Sequence, residues 1–139
     1  MAAGKGGPAG APGAAAVSAA GAVGRSSGLA AWLAVRAQLA GEKIAVPRGA
    51  PAFRGRAVHG PLTAYAEAEY IRRTALLATG GRAYGELPEG DAAARMACDA
   101  ALLRASLFTS ILAFGISAAG MAMGTVLMMV GRGLARAGR

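Results

Sequence analysis

ASLFTSILAFGISAAGMAMGTVLMMV, residues 105–130, contains no charged side chain across 26 positions. It holds Leu107, Phe108, Ile111, Leu112, Phe114, Ile116, Val126, Leu127 and four Met. At about 1.5 Å per residue such a helix is roughly 39 Å long, more than the roughly 30 Å hydrocarbon core of a bilayer. A buried helix in a soluble fold is the alternative. It requires a shell of other apolar elements, and the rest of this chain is poor in them. Leu, Ile, Val and Phe number only 27 in 139 residues, whereas 38 Ala and 22 Gly make small side chains the dominant material. The run therefore predicts a transmembrane helix, and the length argues against a soluble multidomain enzyme.

Upstream, Pro88, Gly90 and Asp91 form a stop-and-start signal with Asp91 as N-cap, and residues 92–104 contain no Gly or Pro. One continuous helix is expected over 91–131, spanning the membrane from about 105, with a basic tail at 132–139. Arg95 and Asp99 form an i,i+4 pair on its first third. Within the apolar run Ser106, Ser110, Ser117, Gly120 and Gly124 are small, and Gly120 with Gly124 makes a G-x-x-x-G spacing. Small residues let helix backbones approach closely in lipid, so these five are candidate helix-packing positions, in a homo- or hetero-oligomer formed through this helix. Arg132, Arg136 and Arg139 follow without an acidic residue and are candidate contacts to lipid headgroups. By the positive-inside tendency they place the C-terminus in the cytoplasm.

Residues 1–13 read as a flexible Gly/Ala/Pro-rich start, and 14–35 as a weakly apolar segment interrupted by Arg25. A central Arg costs about 2.5 to 3.5 kcal/mol on insertion, while each Leu or Val returns a few tenths. Three readings stand: a degenerate first transmembrane helix, a disordered or surface-lying segment, or a cleaved signal ending near Ala20 and Ala22. Residues 36–90 form a loop region. Its part rich in Pro, Gly and Arg allows short extended stretches at 44–46 and 57–59. An amphipathic helix follows at 62–79, with Pro61 at its first turn, Ala64, Ala68, Ile71, Ala75 and Ala78 on one stripe, Glu69 four residues before Arg73, and Gly80-Gly81 as its stop. Tyr65 and Tyr70 flank that stripe.

Several words of this sequence resemble a known family: Gln38-Leu39 with Glu42-Lys43-Ile44; Gly60-Pro61-Leu62-Thr63-Ala64-Tyr65-Ala66; Ala78-Thr79-Gly80-Gly81 with Tyr84; and Leu103-Arg104-Ala105-Ser106-Leu107-Phe108-Thr109-Ser110. They are similar to small actinobacterial two-helix membrane proteins of unknown function, often automatically named aromatic ring-opening dioxygenase LigA. The resemblance covers roughly residues 36–130. It implies an N-terminal and a C-terminal transmembrane helix with a compact extracytoplasmic segment between them, in the cell (plasma) membrane. The family leads one to expect a more apolar first helix, without Arg25.

The chemistry named in that label needs an iron site of the two-His, one-carboxylate kind, and His59 is the single histidine. Other catalytic arrangements fail similarly. No G-x-S-x-G elbow accompanies His59, no Lys-Ser/Thr follows Gly80-Gly81, and one cysteine, Cys98, permits neither an intramolecular disulfide nor a zinc site. Cys98 reads as a packed thiol, with palmitoylation as the alternative. No cofactor, metal or small-molecule substrate is identified. The net charge of +8 comes mainly from arginine, thirteen against two lysines, spread along the chain rather than gathered beside aromatics. Anionic lipid is thus favoured over nucleic acid as the partner of this charge. The loop at 36–90 itself carries eight basic residues, so charge alone does not assign it to the outside; the resemblance does.

The sequence expectation is an all-α membrane protein that is not an enzyme: a small cell-envelope scaffold or accessory subunit in the lipid bilayer. The alternative is a basic module that binds anionic lipid surfaces or nucleic acid through its dispersed arginines.

Overall fold

The computed structural model describes residues 10–138. The described residues are helical, without a named strand, in the order α1 (Gly10–Gly41), α2 (Pro61–Ala78), a single 3-10 turn (Tyr84–Glu86) and α3 (Ala92–Ala137). Among them, α3 is the helix long and apolar enough to cross a membrane.

Each element starts and stops for local reasons. α1 is built mostly of Ala, Gly, Val and Leu, and its single proline, Pro12, falls in the first turn, where an amide hydrogen is not needed. It extends four residues before and six beyond the 14–35 segment, because Ala37, Leu39 and Ala40 continue a strong helix-forming run. Residues 10–13, expected from composition to belong to a flexible start, are thus helical; residues 1–9 lie outside the described residues.

α2 begins at Pro61. Thr63 closes its first turn: its hydroxyl accepts from the Gly60 amide (3.2 Å) and the His59 amide (3.3 Å) and donates to the Gly60 carbonyl (3.0 Å). Its end is a Schellman closure. Gly80 has φ +66°, the Gly80 amide reaches the Leu77 carbonyl (3.4 Å), and the Gly81 amide reaches the Leu76 carbonyl (2.7 Å). α3 opens on Asp91, whose carboxylate accepts from the Ala93 amide at 3.2 Å.

The described residues fall into two compact units. One consists of residues 10–32 of α1 with residues 115–138, and the other is Leu33–Phe114. In the second, the stretches at 44–46 and 56–58 meet in an antiparallel bridge, Ala45 to Ala57. Its rungs are Val46 N to Arg56 O (2.9 Å), Val58 N to Ile44 O (2.8 Å) and Gly55 N to Val46 O (2.8 Å). The bridge turns Val46 and Val58 inward, where they are fully buried along with Ala50, Ala64 and Ala68. Leu87 packs with Ala94 and Ala97 of α3 as a smaller cluster.

Candidate functional site

The first unit is a packing seam made of small residues. Ala14, Gly21 and Gly28 on α1 are buried, as are Ser117, Gly124 and Gly131 on α3. Both sets repeat every seven residues, a beat that keeps one stripe of a helix facing one stripe of its neighbour. The pairing is antiparallel. A methyl group placed on Gly21 stands 2.6 Å from the Gly124 carbonyl oxygen, one on Gly28 stands 2.7 Å from that of Ser117, and one on Gly131 stands 2.8 Å from that of Ala14. No side chain fits at these points, so the backbones touch. Met128 and Met121, again seven apart, lie with their side chains against Gly21 and Gly28. Gly24 and Gly120 sit beside the seam with looser contacts of 3.7–3.8 Å.

Of the packing positions expected from the sequence, Ser117, Gly120 and Gly124 therefore meet α1 of the same chain. Ser106 and Ser110 belong to the second unit and do not join the seam; Ser110 donates to the Ser106 carbonyl (3.2 Å). Gly21, Gly28 and Gly131 are seam residues that the sequence does not single out. Their signal is the seven-residue spacing of Gly in both helices, and it is hidden where Ala and Gly already fill so many positions. Arg132 and Arg136 are exposed, and Arg139 lies outside the described residues.

In the second unit, clefts lie on both sides of the line where α2 runs beside α3. On one side, two adjoining cavities of about 440 and 270 Å³ share Glu67, Ile71 and Leu103. The larger is also lined by Leu39, Ile44 and Leu107, and the smaller by Tyr70, Met96 and Asp99. Glu67 is 8% exposed, and its Oε2 has no hydrogen-bond partner among the described residues. Burial pushes its pKa above the ordinary carboxylate value.

On the other side, a cleft of about 220 Å³ is lined by Arg72, Arg82, Arg104 and Tyr84. Glu69 binds Arg72 with both oxygens (2.9 and 3.0 Å) and Arg73 with one (3.2 Å). Those hydrogen bonds, from Arg72 first and then Arg73, lower its pKa to about 2. Arg82 donates from Nε to the Thr79 carbonyl at 3.3 Å. The Nε of Arg104 is buried with no acceptor among the described residues, and its guanidinium lies 5.8 Å from the centre of the Phe108 ring. Tyr65 meets Phe108 edge to face at 6.2 Å.

The remaining candidates are dispersed. His59 is half-buried and takes part through its backbone in the Thr63 cap, and Cys98 is half-buried beside Leu87 and Ala94. Among the described residues no three His, Cys, Asp or Glu side chains gather as a metal-binding group. Compared with protein families, with curated proteins and with solved structures, the chain matches none.

Proposed function

We propose that this chain is a non-catalytic integral membrane protein, a scaffold or accessory subunit of the cell envelope, in which α1 and α3 cross the bilayer as an antiparallel hairpin. The observation that carries this reading is the inside-out packing of the first unit. Gly21, Gly28, Gly124 and Gly131 are buried, while Val23, Leu29, Ile116, Met123, Val126 and Met129 are exposed. In water the hydrophobic effect drives the opposite arrangement. In hydrocarbon, large apolar side chains lose nothing by facing outward, and close backbone contact supplies the association. α3 inserts on its own hydropathy. α1 carries Arg25, which is exposed beside the seam, and inserts with the help of contacts to α3.

In this reading the tail with Arg132, Arg136 and Arg139 lies in the cytoplasm; the loop region 36–90, whose own eight basic residues do not favour the outside, is put on the outer side by the resemblance. The small-residue stripe of α3 is covered by α1, so a partner meets residues 33–114 or the outward apolar faces. The test is a pair of reporter fusions in a native-like membrane. Alkaline phosphatase fused after Gly81 is expected to be active, and a fluorescent protein fused after Arg139 is expected to fluoresce. An inactive phosphatase at Gly81 overturns the external loop; with fluorescence lost after Arg139 as well, a reporter at the N-terminus tells an inverted hairpin from a single span.

A further inference from the structure

The arginine-lined cleft on α2 and α3 has a feature that packing alone does not explain. Arg72 comes from α2, Arg82 from the segment after it and Arg104 from α3, so three separate parts of the chain contribute arginines to the lining of one cavity of about 220 Å³. Like charges gathered this way repel one another, and guanidinium stays protonated at any physiological pH, so the charge is not relieved by losing a proton. Glu69 pairs with Arg72 through both oxygens and with Arg73 through one, which leaves Arg82 and Arg104 without an ion-pair partner among the described residues. Glu86 is engaged elsewhere, accepting from the Ala83 amide at 2.7 Å. Arg104 ties the cleft to an aromatic neighbour: its guanidinium lies 5.8 Å from the centre of the Phe108 ring, and its Nε is buried without an acceptor among the described residues.

A second observation gives the ligand its shape. Phe108 and Leu112 follow Arg104 at four-residue steps on α3, hence on one face, and both are exposed. Tyr65 of α2 stands against Phe108 and is itself exposed. A cleft with three arginines set in a lining of Ala and Leu thus adjoins, through Arg104, an apolar aromatic track. Arg104 is also the last charged residue before the uncharged run 105–130.

We infer that the Arg72–Arg82–Arg104 cleft binds the phosphate of an anionic phospholipid, whose acyl chain lies along Phe108 and Leu112. Guanidinium forks match a tetrahedral oxyanion with several acceptors better than they match a neutral headgroup. The phosphate chemistry stands on the cleft itself, and its lipid source rests on the membrane reading above.

The test uses the full chain purified in a neutral detergent. Native mass spectrometry scores retained phosphatidylglycerol against phosphatidylcholine, and calorimetry with inorganic phosphate forms a separate arm. Phosphatidylglycerol is expected to be preferred, with R82Q and R104Q each weakening it about tenfold, the loss of one charge-assisted contact. The double variant R54Q/R56Q removes two charges outside the cleft and is expected to leave the preference intact. E69Q frees Arg72 and is expected to tighten binding, an effect that damage to the fold does not produce. Equal losses in R82Q and R54Q/R56Q would show diffuse charge and overturn the site. Inorganic phosphate binding as tightly as phosphatidylglycerol overturns the lipid source. Carbonate extraction of the wild-type chain from membranes reports separately on insertion, so failure of the membrane reading is distinguishable from failure of the cleft.

Discussion

Glu67 is a carboxylate placed where a carboxylate is costly. It sits between two largely apolar cavities with Oε2 unpartnered among the described residues, and burial raises its pKa. For an acid whose folded pKa is raised, the folded state holds its proton more tightly than the unfolded chain. Stability is therefore fullest below the unfolded value near 4.5 and declines as pH rises from there through the folded pKa. Replacing Glu67 with Leu is expected to stabilise the chain at pH 7 by about 1–3 kcal/mol, the cost of a buried unsatisfied group, and to lose that advantage towards pH 4. Thermal unfolding in detergent across that range checks it. Glu69 behaves oppositely. Its pKa falls to about 2, so its contribution is present above 4.5 and is lost as pH drops towards 2; E69Q is expected to flatten that acid limb of the same curve. The caps are legible in the sequence at this scale, since Asp91, Pro61 and Gly80-Gly81 act through neighbours along the chain. Glu67 is not, because helical periodicity marks it as one more polar position beside Ala64, Ala68 and Ile71. The larger cavity beside it is lined by Leu39 and Leu107, which are distant along the chain.

At the scale of elements the seam makes the sharpest claim. Its glycines differ from other helical glycines of the same chain in what a methyl group meets. At Gly124 it collides with the α1 backbone around Gly21 and Arg25, whereas at Gly115 and Gly133 it meets nothing within 4 Å. Gly124→Ala is thus expected to destabilise the chain by about 1–3 kcal/mol through overpacking. Gly115→Ala and Gly133→Ala are expected to stabilise it by about 0.5–1 kcal/mol through helix propensity. Unfolding titrations with a denaturing detergent read both signs in one experiment, and a loss at all three positions contradicts the assigned register. The sequence shows that α3 carries a small stripe, but it does not show what covers it. The G-x-x-x-G pair draws attention to a four-residue step, while the contacts follow a seven-residue one through Ser117, Gly124 and Gly131. Only the matching beat on α1, at Ala14, Gly21 and Gly28, tells the two apart.

For the molecule as a whole, the long uncharged run by itself makes the all-helical class and the apolar α3 legible. α1 is harder to read, because a segment rich in Ala and interrupted by Arg25 sits near the insertion threshold by composition. A pairing between residues a hundred positions apart adds a term that hydropathy does not contain. Arg25 is then the residue on which the topology turns. Arg25→Leu is expected to favour insertion of α1 by about 2.5–3.5 kcal/mol, raising the externally exposed fraction of a phosphatase fused after Gly81. Combining it with a bulky seam variant, Gly21→Leu, is expected to reduce that gain. An unchanged gain would mean that α1 inserts without reference to α3.

The backbone contact at Gly21 and Gly124 also bears on how this sequence can drift over time. No amino acid is smaller than glycine, so every substitution at Gly21, Gly28, Gly124 or Gly131 adds bulk where there is no room. Exposed neighbours such as Ile116, Met123 and Val126 can exchange freely with other apolar residues. Descendants of this chain should therefore keep glycine at two paired seven-residue intervals while the residues between change, leaving a rhythm that outlasts similarity of the words around it.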